Sequence, residues 1–182
     1  MRSTRRAAAT FLVVALSCVV AACTSPGSGG GGGTTTTVPT ADYATCPAVG
    51  AGQIRVAVVV DGTALSSSAP KVVCVVVAAG ATGVTALIAR AVRIGGAAPR
   101  FESSGLLCAI DAAPLAPACG IAGPNGYEYW SYWTGGSSWS FAAQGPATHV
   151  LVDGSVEGWR FLAGGADVAP GGSSAFAQLV TP

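Results

Sequence analysis

Charge is scarce in this chain. Only 9% of its 182 residues are Asp, Glu, Lys or Arg, and nine basic side chains nearly cancel eight acidic ones. A globular domain ordinarily carries about 25% charged residues, so this surface must lean on Gly, Ser, Thr and Ala. A net charge of +1 excludes nucleic-acid binding driven by phosphate neutralisation. Histidine occurs once, as His149; a lone His can act as a base, but no triad or metal cluster assembles around it. No G-x-S-x-G elbow, P-loop or H-E-x-x-H is present, and no C-x₂-C pair marks a zinc site. Asp111, Asp153 and Glu157 are the candidates for paired-carboxylate chemistry. Asp153-Gly154 reads better as a turn, however, and all three are read as surface or turn residues. His149, in an apolar stretch, is read as structural. The chain is therefore expected to be no enzyme and to carry no metal or cofactor.

A membrane-spanning run is also missing. The most apolar stretch, Ala7 to Val20, has fourteen residues, short of the ~20 needed to cross a bilayer as a helix. Behind Arg2, Arg5 and Arg6 it has the form of a signal-peptide core. It ends in Val20-Ala21-Ala22-Cys23, which resembles the bacterial lipobox, so residues 1–22 are expected to be removed and Cys23 to be lipidated. Three of the nine basic side chains leave with the leader, so six remain against eight acidic ones. The lipid itself must then hold the protein, and two or more acyl chains suffice. The expected location is the extracytoplasmic face of a cell membrane. Residues 23–42 form a Gly/Ser/Thr/Pro tether, spanning about 20–25 Å end to end if flexible.

What is present is hydrophobic: 51% of the residues, too many for a chain disordered throughout, and a length that fits one domain. That domain is expected over residues 43–162, with a loosely ordered tail over 163–182. Ile54 to Val60 reads as a strand of β-branched residues stopped by Asp61-Gly62. Lys71 to Val77 reads as a second strand, covered on both faces. Val84, Leu87, Ile88, Ala91 and Val92 recur at helical spacing and predict one helix. Thr82 is placed to cap its start, Arg90 and Arg93 to suit its C-terminal dipole, and Gly95 to end it. Leu106–Ile110, Tyr127–Trp133, Trp139–Phe141, His149–Val152 and Val156–Phe161 read as short strands. The fold class is α+β, with one main helix across a mixed sheet.

Six cysteines are present. Cys18 lies in the leader and Cys23 is used for lipid, leaving Cys46, Cys74, Cys108 and Cys119. An even number in an exported domain implies disulfides, with three possible pairings. The two local closures, Cys46–Cys74 and Cys108–Cys119, are favoured, each stabilising by roughly 3 kcal/mol through loop entropy.

Most aromatic mass is crowded between Tyr127 and Phe141. Strand alternation puts Tyr127, Tyr129 and Trp133 on one face and Trp130 and Tyr132 on the other. One face must be core. The other is a candidate exposed platform, so Tyr129, Trp130, Tyr132, Trp133 and Trp139 are the candidate ligand-binding residues.

Thr82-Gly83-Val84-Thr85-Ala86-Leu87, Gly105 to Asp111, Tyr129-Trp130-Ser131-Tyr132-Trp133 and Val156-Glu157-Gly158-Trp159-Arg160-Phe161 occur in this order. The series resembles the transcobalamin C-terminal-like domain of secreted and surface proteins of Gram-positive bacteria. The resemblance spans roughly residues 54–161 and implies a β-grasp-like fold. In animal cobalamin carriers the corresponding domain covers one face of the corrinoid and a helical domain holds the other. This sequence offers no such helical domain, so no individual ligand contact is carried over. The leading expectation is a membrane-anchored lipoprotein with a non-catalytic module that binds a small ligand, such as a corrinoid or other nutrient, as an accessory to uptake. The alternative is a structural or protein-interaction module of the envelope, and burial of the aromatic residues separates the two. A remote third reading is a protease inhibitor presenting the loop around Pro114 to Pro117.

Overall fold

The computed structural model of the protein describes residues 42–65, 69, 71–115 and 119–181. The leader, Cys23 and nearly all of the linker lie outside the described residues, as does Pro117. Among the described residues no helix is long and apolar enough to cross a membrane.

The β-branched run of β1 (Gln53–Asp61) pairs antiparallel with β2 (Val72–Ala78), Gln53 opposite Ala78 and Val59 opposite Val72. The helix α1 (Gly83–Ile94) follows, ended by Gly95 in the left-handed region. β3 (Arg100–Phe101) and β4 (Leu107–Ala109) make a small separate ladder. β5 (Ile121–Gly123), β6 (Gly126–Thr134), β7 (Ser140–Phe141), β8 (Ser155–Ala163) and the short helix α2 (Phe176–Leu179) complete the chain. The main sheet runs β2-β1-β8-β6-β5, with β7 paired to β6. β8 lies parallel to β1 and antiparallel to β6. A ββα start followed by a late strand parallel to the first is the expected α+β, β-grasp-like arrangement. Both disulfides, Cys46–Cys74 and Cys108–Cys119, join the expected pairs.

The sheet is covered on both faces. On one, Val56, Val58 and Val60 of β1, Val73 and Val75 of β2, and Trp130, Trp159 and Phe161 pack under Ala86 and Leu87 of α1. On the other, Ala57, Val59, Cys74 and Val156 meet Val180, flanked by Trp139, Phe176 and Leu179. Period-2 alternation therefore buries nearly every residue of β1.

This second layer corrects the expectation of a loose tail. Residues 173–181 are seated on the sheet: Thr181 bridges Thr45, and its carbonyl accepts the Cys46 N–H at 2.9 Å. Their few large side chains suffice because the face they cover is built of small residues.

The helix face is also corrected. Gly83, Ala86, Leu87, Arg90 and Ala91 point inward, while Ile88 is exposed and Val92 is 77% exposed. The small residues let α1 approach the sheet closely. Arg90 can be buried because Asp111 accepts from both of its terminal nitrogens at 2.9 Å. Thr82 stands at the N-cap but makes no side-chain cap bond. The Gly83 and Val84 N–H groups donate instead to the carbonyls of His149 (3.3 Å) and Pro146 (3.0 Å). The expected strand His149–Val152 is absent for the same reason. That segment turns its backbone to residues 81–84, with one bridge between Val150 and Thr82 and the Leu151 N–H on the Ala81 carbonyl.

Candidate functional site

The aromatic segment falls on β6, hydrogen-bonded to β8 from Glu128 to Thr134. Its side chains split by parity as expected, but no open platform results. Trp130 and Tyr132 turn toward α1 and are 5% and 8% exposed. The Trp130 ring meets Phe161 edge-on at 5.5 Å, and its indole N–H donates to the Ala113 carbonyl. Tyr132 tilts against Trp159 at 5.1 Å. On the opposite face Trp133 is buried, edge-on to Phe141, and donates to the Ser131 hydroxyl at 2.9 Å.

Trp139, half-buried, lies over Gly158 and donates to the Gly172 carbonyl. Tyr129 donates its hydroxyl to Asp167 at 2.5 Å; burial first, then the carboxylate, pushes this phenol up to about 12. All five candidate ligand residues thus have their polar atoms satisfied by the protein. The platform reading is corrected because both faces are covered: α1 encloses Trp130 and Tyr132, the candidates for the solvent side, and the tail packs on the opposite face. Among the described residues the exposed aromatic side chains are Tyr127 and Phe141.

The carboxylates paired in the sequence reading are held apart. Asp111 is taken by Arg90. Asp153 lies in a surface turn and binds Arg55 through both oxygens; the Arg55 side-chain and backbone donors hold its carboxyl down to about 2. Asp61 is buried and accepts from the Gly171 N–H and the Thr63 hydroxyl at 2.8 Å, with Lys71 at 3.4 Å. Burial alone would raise its carboxyl, but these partners outweigh it and hold it below the ordinary value. Glu102 stands near Cys108 and Cys119, whose sulfurs are bonded to each other and so cannot ligate a metal.

Glu157 departs furthest from its surface reading. It is 1% exposed, on the α1 side of β8. Tyr132 donates its hydroxyl to one carboxylate oxygen, and the His149 Nε2 lies 3.5 Å from the other. Burial pushes Glu157 up to about 7 against the opposing hydrogen bond from Tyr132. Burial, then the neighbouring carboxylate, also raises the Tyr132 phenol. The start of α1 closes the cluster: a Cβ on Gly83 would lie 2.7 Å from the Tyr132 hydroxyl and 3.1 Å from Glu157. His149 is partly exposed and stands between Glu157 and solvent. Its missed signal was parity, since Glu157 alternates with Trp159 and Phe161 and so belongs to the core face. Beside this cluster, Val84, Phe101, Gly145, Pro146, Ala147 and Thr148 line a mostly apolar cavity of about 420 Å³.

Residues 122–181 are similar to the SCO2322-like domain. The matched stretch takes in β6, β8, the cluster of Tyr132, His149 and Glu157, and the tail through Thr181. No curated protein matches the chain.

Proposed function

We propose that this chain is a lipid-anchored, non-catalytic module on the extracytoplasmic face of a membrane, and that it works by contact with another envelope protein. The observation that carries this reading is the enclosure of Trp130, Tyr132 and Trp133, which makes the aromatic hairpin the interior of the domain and not a ligand platform. The lipobox at Cys23 and the two disulfides support export to an oxidising compartment. Contact is supported by apolar side chains left exposed around Cys108–Cys119, namely Leu106, Leu115, Ile121 and Tyr127.

The small-ligand reading is favoured by the apolar cavity beside Pro146. Its volume is at the small end for a ligand site and does not enclose a corrinoid, so the resemblance to transcobalamin-like domains is proposed as one of fold. Two measurements test the proposal on protein extracted from membranes. Cys23→Ala should abolish acyl labelling and release the protein from the membrane fraction. Titration with cobalamins should leave tryptophan fluorescence flat; a saturable quench would instead establish the small-ligand function.

A further inference from the structure

The buried carboxyl of Glu157 sits where three parts of the chain meet, and one of them is a loop without regular structure. Residues 145–151 leave the sheet after β7 and return to it at β8. They dock on the α1 side through backbone bonds: Gly83 N–H to His149, Val84 N–H to Pro146, and Leu151 N–H to Ala81. The side chain that the loop turns toward the cluster is His149, 3.5 Å from Glu157 and 6.2 Å between rings from Tyr132. The groups facing Glu157 are Tyr132 from β6, His149 from the loop and the backbone of Gly83 from α1. Its neighbours across the sheet, Val58 and Thr134, carry no charge.

We propose that the proton on Glu157 is the pin of a latch that holds the 145–151 loop against the start of α1, docked in acid and loosened as the medium turns alkaline. With its proton, the carboxyl is a neutral link that accepts from Tyr132 and can donate toward the imidazole. Without it, a buried anion remains that accepts from the Tyr132 hydroxyl on one oxygen and has the His149 Nε2 no closer than 3.5 Å on the other. Burying a carboxylate with so few donors is costly. Further donors stand at the start of α1, packed against the carboxylate at Gly83: its first N–H groups, where the helix dipole also favours an anion, and the loop carbonyls occupy them. An ionised Glu157 therefore competes with the loop for the Gly83 and Val84 N–H groups. Gly83 permits that approach, since no side chain separates the helix backbone from the carboxylate. Burial sets the titration of Glu157 at about 7, so the device works in the range where cells and their surroundings differ. Because residues 145–148 line the apolar cavity, its shape changes with the latch.

Amide hydrogen exchange across about pH 5 to 8 tests this, read as protection factors so that the intrinsic pH dependence of exchange is removed. The reporter is the Leu151 N–H, bonded to the loop's docking partner; the reference is the Val60 N–H, bonded to Lys71 within the sheet. Protection of Leu151 relative to Val60 should fall through neutrality, no more steeply than about tenfold per pH unit for one proton, while the Gly83 and Val84 amide resonances shift with the same midpoint. Glu157→Gln should hold the ratio flat. Tyr132→Phe removes the bond that favours the carboxylate and should move the midpoint to higher pH. A Leu151/Val60 ratio independent of pH in the wild type overturns the latch, as does a midpoint left unmoved by Tyr132→Phe.

Discussion

Gly158→Ala tests whether the C-terminal layer is part of the core. Gly158 lies opposite Trp133 on β6, and the Trp139 ring and Pro170 rest on it. A Cβ there would sit 2.6 and 2.9 Å from two Trp139 ring carbons and 3.0 Å from Pro170. These are not flexible chain ends: the indole is held by the Gly172 carbonyl and wedged against the second layer. Overpacking of this kind costs about 1–3 kcal/mol, and the upper half of that range is expected because two rings must move together. Urea denaturation followed by tryptophan emission gives the midpoint and slope. The decisive comparison is a double-mutant cycle. Trp139→Ala alone should destabilise by about 2 kcal/mol, below the fully buried range because the ring is half-exposed. In that background Gly158→Ala should cost less than about 0.5 kcal/mol, giving a clear coupling energy. Equal costs in both backgrounds would show that Trp139 does not rest on Gly158, and the account of the second layer would fail with it.

Ending the chain at Gly172 should strip Val180 and its neighbours from the sheet. The urea midpoint should drop by the equivalent of about 3 kcal/mol or more and the tryptophan emission should move to the red; unchanged spectra would restore the loose-tail expectation. Arg90→Ala leaves the Asp111 carboxylate without its bidentate partner and should cost about 3 kcal/mol, near 10 °C in a thermal melt. A loss under a third of that would mean that the pair is open to water. Glu157 has a folded pKa raised from the ordinary 4.5 to about 7, so its contribution to stability is complete below the former and lost as pH rises through the latter. The wild type should lose up to about 3 kcal/mol over that window while Glu157→Gln loses less; parallel profiles would show that the carboxyl is solvated.

Several features were legible in the residues alone. β-branched runs and turn residues placed β1, β2, β6 and β8 because strand formation in them is local. The pairings of Cys46 with Cys74 and of Cys108 with Cys119 followed from proximity along the chain. Side-chain parity on β6 was also correct, since a period of two needs no knowledge of the partner strand.

Which face met solvent could not be read from the same pattern. Parity says that Trp130 and Trp133 oppose each other, but only a layer on each side of the sheet encloses both. The second layer comes from residues 173–181, which follow a Gly-, Ala- and Pro-rich stretch and offer only Phe176, Leu179 and Val180 as large side chains. Helical periodicity likewise placed α1 but misjudged its inward arc. A buried arginine reads as surface until its carboxylate arrives from 21 residues away. Glu157 and His149 are eight positions apart in sequence, and Tyr132 belongs to another strand; only the packing of α1 and the 145–151 loop over β6 and β8 brings the three side chains together. Local preferences thus determined the elements and the crosslinks, while burial and proton affinity depended on neighbours that only the packed chain supplies.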